Sequence, residues 1–256
     1  MLRRRIALFL VTLTALGSVF FGGPSAWAAT STGRAANAAK FVGLAELPVA
    51  DALDAAATDS LVADAAIASV PIFDAPDAAT PVRSMKNPTR EGVLLIFGVL
   101  EEQGDWLKVM LPMRPNGSVG WVKASDVRVR KVPNRIEIDR SDRKLRAFKG
   151  GEMLLEVPVA VGKSVSPTPV AKAYVDISVP FKNTGGAYGA HMLSIAAYSE
   201  VLMNFGGGVG QLAIHGTNAR GSVGKEASNG CIRLFNEDIL RLRDLAPAGT
   251  PVEIVA

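Results

Sequence analysis

The sequence predicts a mostly β protein, made of a small β module followed by a larger β domain with one short helix. Short apolar runs separated by turn residues follow one another between Val93 and Val129, which is typical of a small barrel. After Pro133, apolar residues alternate with polar ones at period two, the pattern of half-buried strands. A chain of 256 residues that is 48% hydrophobic is long enough to bury two modest cores.

The N-terminal segment, Met1 to Ala28, has the layout of a secretory signal peptide. A basic start precedes an apolar run from Ile6 to Phe21, and Ala26-Trp27-Ala28 offers a small-residue cleavage site, so we predict cleavage after Ala28. The alternative is an uncleaved membrane anchor, but this run is shorter than the roughly 20 apolar residues of a spanning helix. We therefore expect a secreted protein with no stable membrane span after signal cleavage.

The charge of the chain excludes one class of partner. The formal charge of +4 includes three arginines in the predicted signal peptide, Arg3, Arg4 and Arg5. Without them, 25 of the 28 basic residues remain against 24 acidic ones, so the mature protein is close to neutral. Because binding to nucleic acid requires clustered basic charge, and the sequence shows no such cluster, we expect no nucleic-acid partner.

Residues 29–80 are predicted to form a flexible linker. Ala and Asp dominate this stretch, and Pro48, Pro71 and Pro76 interrupt it. Part of it, around Ala50 to Val70, has a weak Leu/Val stripe and is compatible with an Ala-rich helix. We assign no chemistry to the linker and expect it to act as a spacer.

Residues 81–132 are predicted to form the small β module. Its strands are expected at Val93–Leu100, Trp106–Leu111, Gly120–Lys123 and Val127–Val129, with a tight turn at Asn116-Gly117. Trp106 and Trp121 have two interpretations. They either line a ligand groove or belong to the core, and strand aromatics more often belong to the core.

Residues 133–256 are predicted to form the larger domain, whose strands are listed together here: Arg135–Asp139, Lys144–Phe148, Glu152–Val161, Tyr174–Pro180, Leu212–Ile214 and Pro251–Val255. A short helix is expected to begin with Asn236 as its N-cap and to end before Pro247. The glycine-rich loop Asn183–Gly189 lacks the lysine of a phosphate-binding P-loop, so a loop beside a substrate cleft is expected. His191, which follows it, is expected to be a structural or surface histidine, with a contact to substrate as the less favoured alternative.

The only cysteine, Cys231, and one of only two histidines, His215, lie close together in the sequence. The apolar run Leu212–Ile214 leads to His215, and a glycine-rich loop returns the chain to Cys231. A thiol attacks carbonyl groups as its thiolate, and an imidazole is suited to take its proton. Gly216 and Gly230 allow close backbone approach, so amide groups there are candidates to hold an oxyanion. The alternative is a buried structural cysteine beside an ordinary strand-end histidine.

Two motifs, His215-Gly216-Thr217 and the heptapeptide Ser228 to Leu234, closely resemble the signature of the L,D-transpeptidase catalytic domain, also called the YkuD family. The resemblance implies a β-sandwich fold with Cys231 as nucleophile and His215 as base. It also implies that the carbonyl of Gly216 orients the second imidazole nitrogen. This family usually carries another histidine where this chain has Asn229, which can form hydrogen bonds but cannot titrate.

Several further residues near the motifs are expected to contact substrate. Arg233 lies two positions after Cys231 and therefore on the same side of an extended segment, where its guanidinium can clamp a carboxylate or hold the loop. The complete set of expected substrate-binding residues is Arg233, Asn229, Ser228, Thr217 and Tyr188. Segments around Trp106 and Trp121 also resemble bacterial SH3-like modules, which often accompany cell-wall enzymes.

The resemblance implies a cell-wall-associated enzyme that forms 3→3 cross-links between peptidoglycan stem peptides, one acting as donor and the other as acceptor. It also implies inhibition by carbapenem-type β-lactams. No metal or organic cofactor is expected, since two histidines and one cysteine do not supply a usual zinc ligand set. Three alternatives stay open: an L,D-carboxypeptidase, a non-catalytic wall-binding protein and a different Cys/His acyltransferase.

Overall fold

The structure, a computed structural model, describes residues 59–205 and 207–256. The predicted signal peptide and the predicted linker up to residue 58 lie outside the described residues. Strands dominate the described part of the chain, and a single α-helix follows Cys231 there, which confirms the mostly β prediction. In residues 59–205 and 207–256, no helix is long and apolar enough to cross a membrane.

The N-terminal module contains seven strands. They are β1 (Ser60–Ala65), β2 (Ser69–Ile72), β3 (Arg83–Lys86), β4 (Ile96–Gln103), β5 (Trp106–Met110), β6 (Val119–Lys123) and β7 (Val127–Val132). Five of them form one sheet in the order β6-β5-β4-β1-β7, while β2 and β3 pair separately. The likeness of this module to SH3-like modules stays a prediction.

Strand β1 corrects the prediction of a flexible linker for its described part, residues 59–80. It lies between β4 and β7 and pairs antiparallel with both, so the module includes residues 60–80. Val62 and Ala63 are fully buried because neighbouring strands cover them. The alanine-rich composition suggested a spacer or a helix, but here alanine provides a small side chain that fits a tightly packed sheet.

Trp106 and Trp121 belong to the core of the module. Both are 8% exposed and pack with Phe73 in a small hydrophobic cluster. The rings of Phe73 and Trp106 meet edge to face, with their centroids 4.9 Å apart. The indole N–H of Trp106 donates to Asp77. The alternative of an aromatic ligand groove is therefore wrong for these two residues.

The larger domain contains ten strands and the helix. They are β8 (Asn134–Asp139), β9 (Lys144–Lys149), β10 (Glu152–Pro158), β11 (Val161–Gly162), β12 (Ala171–Pro180), β13 (His191–Tyr198), β14 (Gln211–His215), β15 (Glu226–Ser228), β16 (Ile232–Arg233), α1 (Asn236–Leu245) and β17 (Pro251–Val255). Eight strands form one sheet in the order β10-β9-β8-β17-β12-β13-β14-β16, and β11 pairs with β15.

The long strand β12 folds this sheet into two halves. Its first part, Ala171–Tyr174, pairs with β17, and its second part, Val175–Pro180, pairs with β13. The register shifts between Val175 and Ile177, and such an irregularity bends a strand. Residues of both halves, together with Ile239 and Leu242 of α1, bury their side chains in one shared core. The second half carries β14 and β16 and therefore the predicted site.

The N-terminal module and the larger domain share a small buried cluster. Val62, Ile96 and Val132 of the module pack against Tyr174 of β12. The hydroxyl group of Tyr174 is fully buried and donates to the carbonyl oxygen of Ile96 at 2.8 Å. The contact is therefore both apolar and hydrogen-bonded, which favours one relative orientation of the two sheets.

Candidate active site

Strand β14 carries His215 to the end of the sheet. Leu212, Ala213 and Ile214 are buried, as expected for an internal strand with neighbours on both sides. His215, the last residue of the strand, is 3% exposed. It lies opposite Arg233 in the parallel pairing of β14 with β16. The strand thus presents the imidazole beside the segment that contains Cys231.

Cys231 lies in the short connection between β15 and β16. Strand β15 pairs with β11, and β16 pairs with β14, so both flanks of the connection are held by sheet hydrogen bonds. Gly230 has a φ of +117°, a conformation that side chains with a Cβ rarely adopt. The thiol side chain is consequently delivered by a sharp turn, and Cys231 is partly exposed.

Thr168 fixes this turn from the neighbouring loop. Its hydroxyl group donates to the carbonyl oxygen of Gly230 at 2.8 Å and accepts the N–H of Gly162 at 2.9 Å. Thr168 is 1% exposed, so water does not compete for either bond. Two buried hydrogen bonds from one side chain therefore hold the backbone next to the cysteine.

A cleft with a volume of about 220 Å³ contains both predicted catalytic side chains. Its lining includes Cys231, His215, Arg233, Asn229 and Tyr188. A second, larger cavity of about 610 Å³ is also lined by Cys231, and Tyr188 borders both cavities. The thiol can therefore be approached from two adjoining spaces.

The imidazole of His215 has a defined orientation. Its Nδ1 lies 2.5 Å from the carbonyl oxygen of Gly216, the partner that the sequence analysis assigned. A carbonyl oxygen only accepts, so Nδ1 carries the proton and Nε2 is the basic nitrogen. The ring of Tyr188 packs edge-on against His215 with the two ring centroids 4.8 Å apart. These contacts hold the tautomer and the plane of the ring.

Burial makes both reactive side chains neutral at rest. It lowers the pKa of His215 from 6.5 to about 4, and the nearby Arg233 lowers this pKa further, against the hydrogen bond to Gly216. Burial also raises the pKa of the Cys231 thiol, while the backbone of Ala213 and the charge of Arg233 act in the opposite direction. The resting pair is thus a thiol and a neutral imidazole.

Arg233 contributes a positive charge to the cleft. Its backbone is fixed by two hydrogen bonds with Ala160, at 3.0 and 2.8 Å. Its Nε is buried and has no hydrogen-bond partner among residues 59–205 and 207–256. A buried donor without a partner raises the free energy of the folded protein, and an acceptor atom of a bound ligand removes this penalty. Arg233 is therefore positioned to receive an acceptor group of a ligand.

The model of the L,D-transpeptidase catalytic domain family, YkuD, matches residues 133–254, which include all of these side chains. Residues 133–254 are an L,D-transpeptidase catalytic domain. The boundary at residue 133 coincides with the beginning of the larger domain, between β7 and β8.

Relatives of this L,D-transpeptidase domain occur in several bacteria. The putative L,D-transpeptidase YkuD of Bacillus licheniformis is 36% identical over 123 residues, which cover 48% of this chain and 66% of that protein. The probable L,D-transpeptidase ErfK/SrfK of Salmonella typhimurium is 32% identical over 138 residues, covering 48% of this chain and 45% of that protein. The chain thus spans less than two thirds of the length of either relative.

A solved structure of an L,D-transpeptidase from Mycobacterium tuberculosis is also similar. It is 19% identical in sequence and has a TM-score of 0.41. The superposition covers 56% of this chain and 67% of the mycobacterial chain.

Two predicted substrate-binding residues of the L,D-transpeptidase domain do not reach the cleft. Ser228 is fully buried, and its hydroxyl group accepts the N–H of Gly230 at 3.0 Å. Thr217 is 2% exposed, and its hydroxyl group accepts the N–H of Ala219. Both predictions are corrected, because each hydroxyl group forms a hydrogen bond within its own turn.

The predicted oxyanion donors are also corrected. The N–H of Gly230 donates to Ser228, and the N–H of Gly216 donates to the carbonyl oxygen of His191 at 3.0 Å. Neither amide is available to a ligand while these bonds persist. Gly216 contributes its carbonyl group instead, and Gly230 contributes the turn that carries Cys231.

Sequence reasoning missed two supporting side chains of the domain. No role was predicted for Thr168. Asn236 was predicted as a helix N-cap, but Phe235 occupies that position, and the Asn236 side chain accepts the N–H of Ala190 at 2.9 Å. Its amide group also donates to Thr184, so Asn236 holds the loop that carries Tyr188. Asn236 lies two positions after the heptapeptide, which was the available signal in the sequence, whereas Thr168 is far from both motifs and gave no signal.

His191 is structural, as predicted. It is 3% exposed and lies on β13, where its Nε2 is 2.8 Å from the hydroxyl group of Ser178. Within residues 59–205 and 207–256, no group of three or more His, Cys, Asp or Glu side chains is arranged to hold a metal ion.

Proposed function

We propose that this chain is an exported L,D-transpeptidase that joins peptidoglycan stem peptides through a thioester on Cys231. The observation that carries the proposal is the meeting of two cavities at one thiol beside a fixed imidazole. Acyl transfer between two substrates requires two approaches to the nucleophile, one for the donor and one for the acceptor. Family membership of residues 133–254 supports the same reaction class.

In the first step, Sγ of Cys231 attacks the carbonyl carbon of the third stem residue. Its proton passes to Nε2 of His215, the nitrogen left free by the bond from Nδ1 to Gly216. The C–N bond to the terminal D-alanine then breaks, and Nε2 gives the proton to the departing amine. The product is a thioester on Cys231 and free D-alanine.

In the second step, the side-chain amine of another stem peptide attacks the thioester carbonyl. A new C–N bond forms while the C–S bond breaks, and a proton of the amine returns through Nε2 of His215 to the sulfur. The product is a 3→3 cross-link and the enzyme is restored. Neither step requires a metal or an organic cofactor.

Other cleft residues are assigned to substrate binding. The Nε–H of Arg233, which has no hydrogen-bond partner among the described residues, donates to a carbonyl or carboxylate oxygen of the stem peptide. Asn229 and Tyr188 line the same cleft and contact the peptide near the scissile bond. The N–H of Cys231, which follows the turn at Gly230, is the proposed donor to the oxyanion.

Acylation by a carbapenem tests the nucleophile. Opening of the β-lactam ring by Sγ adds the whole mass of the drug, which intact-protein mass spectrometry detects. We expect one adduct on the wild type and none on Cys231→Ala, and we expect His215→Gln to slow acylation about 10²- to 10⁴-fold. Arg128→Ala, an exposed position on β7, is the matched control and should behave like the wild type.

Absence of an adduct on the wild type, or its persistence on Cys231→Ala, would contradict the proposed nucleophile and favour a wall-binding role. A disaccharide-tetrapeptide substrate then tests the acceptor. Cross-linked dimers in the mass spectrum support transpeptidation. Trimmed tripeptides alone would show water as the acceptor and would replace the proposal by an L,D-carboxypeptidase.

A further inference from the structure

One wall of the cysteine cleft consists of the connection between β13 and β14. We call the described residues of this connection, 199–205 and 207–210, the wall segment. It contributes four residues to the lining of the cleft, namely Ser199, Leu202, Phe205 and Gly210. Phe205 and Gly210 also border the second cavity that reaches Cys231. The position of the wall segment therefore determines the width of both approaches to the thiol.

The internal support of the wall segment consists of local hydrogen bonds. Its described residues contain no helix or strand. The N–H of Ser199 donates to the carbonyl oxygen of Gly210 at 2.9 Å, the N–H of Leu202 donates to the hydroxyl group of Ser199 at 3.0 Å, and Phe205 and Gly208 exchange two backbone hydrogen bonds. Between Ser199 and Gly210 the apolar side chains are largely exposed: Val201, Met203, Phe205 and Val209 each expose between 48% and 56% of their surface. A segment with so few buried contacts opens easily unless something outside it holds it.

Arg114 of the N-terminal module provides that support. Its Nη2 donates to the carbonyl oxygen of Ser199 at 2.8 Å and to that of Leu202 at 3.2 Å, and its Nη1 donates to the carbonyl oxygen of Val209. One guanidinium thus joins the beginning, the middle and the end of the wall segment. Its planar set of donors is suited to several carbonyl groups at once.

Residues close to Arg114 in the chain hold Tyr198, the residue that precedes the wall segment. The side chain of Asn116 donates to the carbonyl oxygen of Tyr198 and accepts its N–H, both at 2.8 Å. The hydroxyl group of Tyr198 donates to the carbonyl oxygen of Pro112 at 2.6 Å. The centre of the Arg114 guanidinium lies 5.2 Å from the centroid of the Tyr198 ring. The turn therefore contacts the larger domain at several points.

Gly210 leaves the space that this arrangement needs. Its φ is +69°, and a Cβ atom there would collide with the carbonyl oxygen of Leu202 and lie 2.8 Å from Nη2 of Arg114. Only glycine permits the backbone to approach the guanidinium so closely at this position. Gly210 of the larger domain thus leaves room for the guanidinium group of Arg114.

We propose that Arg114 is a positioning residue that sets the wall of the Cys231 cleft for the peptide substrate. It touches no reacting atom and acts through the wall segment. The proposal rests on the proposed function, because it assumes that a stem peptide occupies this cleft. It also gives the N-terminal module a role in activity, whereas from the sequence only a tight turn at Asn116-Gly117 was predicted near this arginine.

The test compares Arg114→Ala, Arg114→Lys and the control Arg128→Ala in the full chain. Hydrogen-exchange mass spectrometry reports on the wall segment, and initial rates with a disaccharide-tetrapeptide report on the cleft. For Arg114→Ala we expect amide exchange in residues 199–210 to accelerate at least about tenfold. We expect KM to rise about tenfold while kcat changes less than about threefold, since binding and not the chemical step is affected.

Arg114→Lys separates charge from geometry. A lysine keeps the positive charge but is a single point donor that does not span three carbonyl groups, so we expect it to resemble Arg114→Ala. Alkylation of Cys231 by iodoacetamide should stay within about threefold of the wild-type rate in both variants, because the small reagent does not depend on the wall.

Unchanged exchange in residues 199–210, or a fall in kcat with KM unchanged, would overturn the proposal. A merely structural role would lower the unfolding midpoint without changing the KM of the folded fraction, and this result also overturns it. Failure of the proposed function is a different observation: the wild type itself would form no carbapenem adduct. The exchange experiment needs no turnover and therefore remains decisive in that case.

Discussion

At the scale of single residues, Cys231 and His215 form a pair that rests without charge. Burial disfavours both the thiolate and the imidazolium, because each ion loses its hydration in the cleft. An ion pair that exists before substrate binds is therefore disfavoured. In the proposed reaction, proton transfer to His215 therefore accompanies attack on the substrate, and the bond from Nδ1 to Gly216 leaves Nε2 free to take the proton.

The pH dependence of thiol alkylation tests this resting state. The pKa of Cys231 is raised, so the thiolate fraction rises with pH throughout the neutral range. We expect the rate of alkylation by iodoacetamide to increase about tenfold per pH unit between pH 5 and 8. His215, with a pKa of about 4, should produce no step near pH 6.5. A rate that is constant across this range would instead indicate a preformed thiolate–imidazolium pair.

At the scale of elements, helix α1 supports the cleft through its first residue. Asn236 binds Ala190 and Thr184 at the two ends of the loop that carries Tyr188. Its side-chain oxygen also packs closely against Gly216 and Gly189, where a Cβ atom would collide with it. The helix thus holds both the loop and the backbone beside His215, although no part of it lines the cleft.

Substitution of this residue should loosen the loop. Asn236→Ala removes both hydrogen bonds, so we expect a loss of about 1–2 kcal/mol in the free energy of unfolding. Amide exchange in residues 183–190 should accelerate about tenfold. Urea denaturation and hydrogen-exchange mass spectrometry measure the two effects.

Arg241→Ala is the control on the same helix. Its side chain is 62% exposed and its contact with Asp238 is long, at 3.6 Å, so the arginine contributes little to stability. We expect its free energy of unfolding to stay within about 0.5 kcal/mol of the wild type. Equal exchange in the loop for Asn236→Ala and Arg241→Ala would contradict the anchoring role.

At the scale of the whole molecule, the N-terminal module and the catalytic domain are joined by polar contacts as well as by apolar packing. Arg130 of β7 donates to Asp64 and to the carbonyl oxygen of Ala248, next to β17. Tyr174 of β12 donates to Ile96 from a fully buried position. Such contacts couple the two sheets, so we expect them to unfold in one transition.

Two probes follow the unfolding of the N-terminal module and of the catalytic domain separately. Trp106 and Trp121 both lie in the module and report on it by fluorescence, whereas Cys231 reports on the catalytic domain by its reaction with a disulfide reagent. We expect the two probes to give the same urea midpoint. Tyr174→Phe should lower the free energy of unfolding by about 1–3 kcal/mol, because the buried carbonyl group of Ile96 loses its donor.

Tyr188→Phe is the matched control for this change. Tyr188 is 39% exposed at the cleft, so we expect its hydroxyl group to contribute less than about 0.5 kcal/mol to stability. Separate midpoints for the tryptophans and the cysteine in the wild type would contradict the coupling of the two sheets.

Local patterns in the chain were sufficient to predict much of the catalytic domain. Alternating apolar residues placed β8 and β9, and the apolar run before His215 placed β14, because side-chain direction in a strand depends only on neighbouring positions. The spacing of His215 and Cys231 predicted their common cleft. Strand β1 was missed, since alanine side chains carry no alternation strong enough to reveal a strand.

The sequence by itself determined the class of fold, the strand that carries His215 and the turn that carries Cys231. Only the tertiary structure decided that Ser228 is buried, that Asn236 supports the loop of Tyr188 and that Arg114 holds the wall segment. The physical reason is distance along the chain. Arg114 meets its partners 85 to 95 residues later, and contacts of that separation leave no trace in local periodicity.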